Sequence, residues 1–255
     1  MDSSVVSYPV NAHAQTHQLE QQSFWYRHRN ALIVKALKMY CTPGAEVYDL
    51  GGGNGIVSLA IQQHGYIPHL VEAMPQAVER AKAAGVAHVM ESTLQTFQQR
   101  NLPNILLLDV AEHIEADAAL FKQLYEQAAP NAKIIITVPA FQHLYTGIDQ
   151  QIGHFRRYRR SALNKKLAAA GFKIVYSSYY FSLLYFPTLL FRVMPHLLGI
   201  NISNNPQRRS REHLNHFPIL NRLLLLIASI EIGFLKHKIG IPIGTSCFVV
   251  AEKKN

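Results

Sequence analysis

Short apolar runs alternate with helical apolar periods along most of this chain. From Glu20 onward Phe24, Ile33, Leu37 and Tyr40 recur at or near helical spacing, and Thr42-Pro43-Gly44 stops the pattern. Beyond that point the periods predict strands over Glu46–Leu50, Pro68–Val71, Ala87–Met90, Asn104–Val110, Ala132–Val138 and Lys173–Tyr180. Between them lie helical patterns over Ile56–Gln63, Pro75–Ala84, Ala116–Ala128 and Ser161–Ala170, and Ser246–Ala251 adds a last strand. The runs NILLLDV and AKIIITV are apolar at successive positions, as central strands buried on both faces require. Strands alternating with helices predict an α/β fold, a mainly parallel sheet with helices on both faces.

The pattern changes between Phe181 and Gly244. Here FSLLYFPTLLFRVMPHLLG, a basic polar loop NNPQRRSREH and FPILNRLLLLIASIEIGFL predict two apolar helices and a connecting loop. Residues 20–255 then form one domain, with 181–244 as an inserted helical cap before the last strand and 1–19 as a loose polar lead-in. The cap reads either as an ordinary packed cover or as a lid that meets a lipid-like substrate or a membrane surface. Ile174–Phe191 is broken by Ser177, Ser178 and Pro187, and Leu223–Ile230 falls short of the roughly 20 apolar residues a span needs. No basic patch followed by an apolar run opens the sequence, so the expectation is a cytoplasmic protein, with association at a membrane surface left open.

Hydrophobic residues make up 49% of the 255 positions, enough for a large core, which excludes a disordered chain. The formal charge is +9, which favours an anionic partner: nucleic acid, phospholipid head groups, or a phosphorylated or carboxylated small molecule. Two cysteines, Cys41 and Cys247, support neither a disulfide framework nor a Cys-based zinc site.

The segment EVYDLGGGNG carries the most chemistry. Asp49, Gly51, Gly53 and Gly55 stand at D-x-G-x-G-x-G spacing after a strand and before a helix, where backbone N–H groups can approach a ligand. Glu72 follows at the end of the next strand, placed for ribose hydroxyls. A dinucleotide fingerprint would need glycine at Ile56 or Ser58, and no Gly-Lys-Ser/Thr follows. A tight turn without a ligand is the plain alternative.

The loop resembles motif I of class I S-adenosylmethionine-dependent methyltransferases. Further segments extend the likeness over residues 20–254: SFWYRHRN, LLLDVAEHI, the V-P-A…G-H-x-R-R-Y stretch from Val138 to Leu163, AAGFKIV, and IPIGTSCFVVAEKK. They are similar to a bacterial branch related to the ubiquinone-biosynthesis O-methyltransferases. The resemblance implies a Rossmann-like seven-stranded sheet with one antiparallel strand at its edge, and S-adenosylmethionine as cofactor with S-adenosylhomocysteine as product.

On that resemblance Gly51, Gly53 and Gly55 hold the methionine part of the cofactor, and Asp49 fixes the loop and reaches the amino group. Glu72 takes the ribose, with Met74 over the adenine or in helical core. Glu91, followed by Ser92, is the acidic candidate after the third strand, although the usual Gly-Asp is missing there. Asp109, Val110 and Ala111 face the cofactor from the end of the fourth strand. Trp25 and Arg29 close over it, Arg29 as partner of its carboxylate or as a solvated cation.

His154 is the candidate general base, or else a histidine tied to its own loop. His113 is a second catalytic candidate or a loop pin, and Tyr158, Tyr145 and His143 are weaker ones. Arg156 and Arg157 bind an acidic group, pair with Asp149, or form a solvated face. The loop Asp109-Val110-Ala111-Glu112 lacks the Asn/Asp-Pro-Pro-Tyr pattern of base amino-methylation, and neither cysteine sits where a C5 nucleophile belongs. Val138-Pro139-Ala140 supplies no oxygen ligand, so metal-independent transfer is expected. The reading is methyl transfer to oxygen of a small apolar or lipid-linked metabolite. An RNA methyltransferase and a non-catalytic cofactor-binding protein are the alternatives. Nucleic acid is the less favoured partner, because no appended RNA-binding module is visible.

Overall fold

The computed structural model describes residues 24–199 and 218–254. The lead-in and the basic loop NNPQRRSREH lie outside the described residues. Helix α1 (Phe24–Tyr40) leads into β1 (Glu46–Leu50), α2 (Ile56–Gln63), β2 (Ile67–Glu72), α3 (Pro75–Ala83), β3 (His88–Glu91) and β4 (Leu102–Leu108). There follow α4 (Asp117–Gln127), β5 (Ala128–Pro139), α5 (Gly147–Gln151), α6 (Arg160–Ala169) and β6 (Phe172–Tyr180). Short helices α7 (Tyr185–Thr188) and α8 (Met194–Leu197) flank a π-helical turn, Leu189–Val193, before α9 (Pro218–Lys236) and β7 (Ser246–Lys253).

The seven strands form one sheet in the order β3-β2-β1-β4-β5-β7-β6. β1 pairs in parallel with β2 and β4, while β7 runs antiparallel to both β5 and β6. This corrects the expected topology: the antiparallel strand lies inside the edge, and β6 forms the edge. The cause is the final β6–β7 pairing, in which β7 returns through the gap between β5 and β6. Residues 181–245 connect these two strands.

Burial alternates within the central strands as a doubly covered sheet demands. Ile105 and Leu107 join one core with Ile134, Ile136, Val249 and Phe121. Leu106 and Leu108 join the other with Ile135, Phe248, Val250 and the buried face of α1, including Ile33 and Leu37. α9 packs on α1 along the stripe Ala228, Glu231 and Leu235. The chain order reverses between β1 and β4, and ligands of such sheets bind at the carboxyl ends beside that switch point.

Candidate functional site

Three bulky or acidic residues sit in the left-handed region just past the ends of parallel strands: Asp109 (φ 56°) after β4, Phe141 (φ 59°) two residues beyond β5 and Phe181 (φ 55°) after β6. Side chains other than glycine pay for this geometry in strain, and such positions cluster where function overrides propensity. All three lie at the carboxyl edge of the sheet, and Asp109 lies beside the switch point. The apolar pattern carries the fourth strand to Val110, but the strand closes at Leu108 and Asp109 turns the chain away from it.

The glycine loop occupies the neighbouring position. Gly51, Gly53 and Gly55 have φ of 74°, 56° and 80°. A Cβ on Gly51 would lie 2.7 Å from Val110 Cγ2, so the loop presses its backbone against the turn after β4. Asp49 is buried and accepts a hydrogen bond from Ser58 Oγ at 2.7 Å. Burial pushes its carboxyl up to about 6, with Glu72 adding in the same direction against Ser58 and Arg29. Its observed contact thus supports the loop-fixing role.

Glu72 is not an idle strand end. Its carboxylate oxygens accept the N–H groups of Gly53 (3.0 Å) and Met74 (2.9 Å). A carboxylate has about four acceptor positions, so capacity remains for ribose hydroxyls. Met74 is half-buried just before α3, and Glu91 is exposed beside Glu72 on the rim. The left-handed glycine backbone, the acidic end of β2 and the close approach of Val110 suit S-adenosylmethionine. Gly51, Gly53 and Gly55 would hold its methionine part and Glu72 its ribose.

Arg29 is committed elsewhere than the sequence suggests. Its Nη1 donates to Asp109 Oδ2 at 2.8 Å, and its guanidinium lies over Trp25 (4.6 Å) and Tyr26 (5.2 Å). Thr137 also donates to Asp109, at 3.1 Å. Trp25 stacks on Phe181 with centroids 5.4 Å apart, and Phe141 stacks on Tyr179 at 4.7 Å. Trp25 on Phe181 belongs to the core under α1, and Phe141 on Tyr179 to the core on the other face of the sheet.

His154 sits opposite. Its Nδ1 lies 3.0 Å from Asp149 Oδ1, and its Nε2 lies 3.7 Å from Glu112 Oε1. The main chain fixes this juxtaposition: Phe155 N–H donates to the Glu112 carbonyl at 2.8 Å, and Tyr145 donates its hydroxyl proton to the His154 carbonyl at 2.7 Å. Arg157 meets Asp149 at 2.7 Å and Arg192, from the π turn, at 3.4 Å. Burial raises the Asp149 carboxyl, but the hydrogen bond to His154 and the charges of Arg157 and Arg192 outweigh it and pull the group well below the usual range. Glu112 goes the other way: burial drives it well up, and Asp109 pushes in the same direction. Two carboxyls thus flank one imidazole with opposite proton preferences, a pattern suited to acid–base work.

The structure brings His113 to this cluster, its ring 4.7 Å from that of His154. One ligand-capable atom each of Glu112, His113 and His154 lies within 4.8 Å of the others, so these three can hold a cation. Both Glu112 carboxylate oxygens are buried without a hydrogen-bond partner among the described residues. The sequence reading missed Glu112 as a site residue, although the D-V-x-E-H motif contains it.

Tyr158 requires a correction. It is a buried core residue whose hydroxyl donates to Asp117 at 2.8 Å, and burial together with Asp117 raises its pKa far beyond useful range. It braces the fold and does not serve as a catalytic acid or base. Nor do Arg156 and Arg157 form a solvated face. Arg156 pairs with Asp117 at 3.1 Å, and Arg157 is locked on Asp149. His143 reaches Tyr185 of α7 at 2.8 Å, which ties the loop after β5 to the apolar segment.

Comparison with known proteins agrees with this geometry. A methyltransferase-domain family model matches residues 20–177. The mitochondrial ubiquinone biosynthesis O-methyltransferase of Schizosaccharomyces pombe is 27% identical over 106 residues, covering 38% of this chain and 39% of that protein. The chain therefore matches well under half the length of this relative. Among solved structures, a Haloferax volcanii methyltransferase in complex with its Trm112 activator superposes with a TM-score of 0.63 at 13% identity, covering 98% of this chain and 100% of that one. Haemonchus contortus phosphoethanolamine N-methyltransferase 2, in complex with S-adenosyl-L-methionine, gives 0.60 at 17% identity over 98% of this chain and 58% of that one. Both share the fold. With a family match over more than half its length, the chain belongs to the methyltransferase-domain family, with S-adenosylmethionine as its cofactor.

Proposed function

We propose that this protein transfers a methyl group from S-adenosylmethionine to a hydroxyl oxygen of a small, partly apolar or lipid-linked metabolite, with His154 as general base. The observation that carries this reading is the 3.0 Å contact between His154 Nδ1 and Asp149. An ionised Asp149 can only accept, so Nδ1 carries the proton and Nε2 is the basic nitrogen. The cofactor supplies an activated methyl group when bound. The protein must hold the acceptor hydroxyl in line, exclude water and take up one proton. His154 takes that proton at Nε2 and Asp149 stabilises the imidazolium. Trp25 and Phe141, both half-buried near the carboxyl ends of the strands, favour an acceptor with an apolar ring or tail.

The RNA reading loses its main motive, since Arg156 and Arg157 spend their charge on Asp117 and Asp149. Transfer of labelled methyl to apolar phenols and to lipid extracts, compared with polar catechols and bulk RNA, tests the proposal. Apolar hydroxyl acceptors should be labelled and His154→Gln should abolish labelling with S-adenosylhomocysteine binding retained. Labelling of RNA alone would overturn it, and binding without turnover on any acceptor would favour the non-catalytic alternative.

A second reading is favoured by the Glu112, His113 and His154 group. In it a divalent cation on these residues takes the acceptor oxygen, and His154 is a ligand rather than a base. Chelator treatment separates the two. Activity unaffected by EDTA supports the metal-independent base, and activity lost to EDTA and restored by added Mg²⁺, Mn²⁺ or Zn²⁺ supports the cation.

A further inference from the structure

The segment between β6 and β7 carries an apolar surface that nothing in the described fold covers. Leu183, Phe186, Leu190, Phe191, Met194 and Leu197 are all exposed, Phe186, Phe191 and Leu197 by about two thirds or more (67%, 69% and 72%). Separations of three or four residues, with Leu190 and Phe191 adjacent, place them along one side of the run from the turn at Ser182 to α8. Val193 alone is buried there, facing inward. α9 repeats the arrangement. Ala228, Glu231 and Leu235 pack toward the body, while Leu226, Ile230 and Phe234, each four residues apart, face solvent. The two elements are joined at their base, because the N–H groups of Phe181 and Ser182 both donate to Glu231.

Scattered apolar side chains on a surface are ordinary, but two contiguous stripes that include three phenylalanines are not. Among the described residues no helix is long and apolar enough to cross a membrane. The electrostatics narrow the occupant. In sequence, residues 181–244 hold seven Lys and Arg against two Glu; Arg192 is engaged with Asp149, and Lys236 and Lys238 are exposed where α9 ends. One of those two glutamates, Glu231, is buried on His28. A second copy of the chain would bring like charge against like charge. An anionic bilayer would meet both features at once, apolar side chains entering the acyl boundary and cations meeting the head groups.

We infer that the exposed face of residues 183–198 together with the outer stripe of α9 docks this protein on an anionic phospholipid bilayer. The site lies next to that face. Tyr185 bonds His143 at 2.8 Å, and Arg192 reaches Asp149 at 3.4 Å, the carboxylate that orients His154. Docking therefore presents the substrate side of the fold to the bilayer. The inference does not depend on which acceptor is methylated.

Flotation of the full chain with vesicles tests it, using pure phosphatidylcholine and phosphatidylcholine with about 30% phosphatidylglycerol. The protein should float with the anionic vesicles and not the neutral ones, and high salt should release it. A Phe186→Glu/Leu190→Glu/Phe191→Glu variant should lose at least about tenfold in partitioning. Lys236→Glu/Lys238→Glu should lose about fivefold per charge. Neither variant touches the cofactor loop, so S-adenosylhomocysteine binding should be unchanged in both. Should the triple variant unfold, Phe191→Trp still reports: its emission should shift to the blue on adding anionic vesicles, beyond the signal of Trp25. Absence of wild-type flotation, full retention by the triple variant, or a fixed Phe191→Trp spectrum overturns the inference. A dimer in sedimentation velocity that the triple variant dissociates, without vesicle binding, would instead assign the face to self-association.

Discussion

Asp149 and Glu112 approach His154 from its two ring nitrogens, at 3.0 and 3.7 Å, and although burial raises both carboxyls their neighbours leave them on opposite sides of the usual range. Asp149 keeps its charge because His154, Arg157 and Arg192 surround it, whereas the Glu112 carboxylate has no hydrogen-bond partner among the described residues and favours the protonated form. The difference sets which nitrogen of His154 is basic. Asp149→Asn removes the charge that fixes the tautomer and should lower kcat by roughly 10²–10⁴-fold with a smaller change in KM. It also strands Arg157, and breaking such a buried pair costs about 3–5 kcal/mol. The prediction is checked by kcat and KM together with the urea midpoint, and an Asn variant of unchanged kcat would remove Asp149 from the mechanism.

Asp49 makes a pH signature. Its carboxyl lies at about 6 in the folded protein, against about 3.9 in an unfolded chain. The folded state therefore holds the proton more tightly, and this group takes stability away as pH rises from about 4 through about 6. The full effect is on the order of 3 kcal/mol at neutral pH. Asp49→Asn removes that dependence. Urea midpoints of the cofactor-free protein at steps across this window should show the variant gaining on the wild type as pH rises. Parallel curves would place the Asp49 carboxyl outside this titration.

Gly51 combines φ of 74° with a Cβ position 2.7 Å from Val110 Cγ2. Gly51→Ala should cost about 1–2 kcal/mol in backbone strain alone. Val110 is β-branched and has few rotamers with which to yield, so the loop must move away from the turn after β4. S-adenosylhomocysteine affinity should fall by about tenfold or more while the fold persists. Calorimetric titration against the wild type reads the change.

The ion pair of Arg29 with Asp109 joins α1 to the end of β4 at 2.8 Å. Both side chains retain some exposure, 12% and 23%, so they line the site and are not sealed in the core. Arg29→Met and Asp109→Ala should each weaken S-adenosylhomocysteine binding, and the double variant should lose less than the sum. A coupling of about 0.5–3 kcal/mol is expected for groups in direct contact. Strict additivity would show that Arg29 acts on the cofactor without Asp109.

Much of the fold is legible in the chain because the apolar period leaves few choices. NILLLDV and AKIIITV bury alternate residues in two opposite cores, as their composition requires, and D-x-G-x-G-x-G stands where its spacing puts it, between β1 and α2. Three things are not legible. The position of β7 between β5 and β6 is a pairing choice between strands of equal apolar content. The positive φ of Asp109, Phe141 and Phe181 contradicts their local propensities and is imposed by tertiary packing. Charge pairing is also invisible in one dimension: the basic run from Arg156 looks solvated until Asp117 and Asp149 are seen to neutralise it. Glu112 is the sharpest case, since a lone glutamate in sequence gives no sign of complete burial.

Glu231 clamps the apolar segment to the domain across 203 positions of sequence, accepting from His28 at 2.7 Å and from the N–H groups of Phe181 and Ser182 at 2.9 and 2.7 Å. Burial alone would raise its pKa, but His28 and Ser182 hold it below the usual value. Glu231→Ala would leave two main-chain donors and an imidazole without their partner, and each such orphan costs about 1–3 kcal/mol. The loss should fall on the junction of α1, α9 and the turn at Ser182, leaving the parallel half of the sheet in place. Limited trypsin digestion should then cut within 181–244 faster than in the wild type, while S-adenosylhomocysteine still protects the glycine loop in hydrogen exchange. Glu231→Gln keeps an acceptor oxygen and should fall between the two. Equal digestion rates in all three proteins would mean that the segment is held by its apolar packing on α1, and that Glu231 merely satisfies the backbone beneath it.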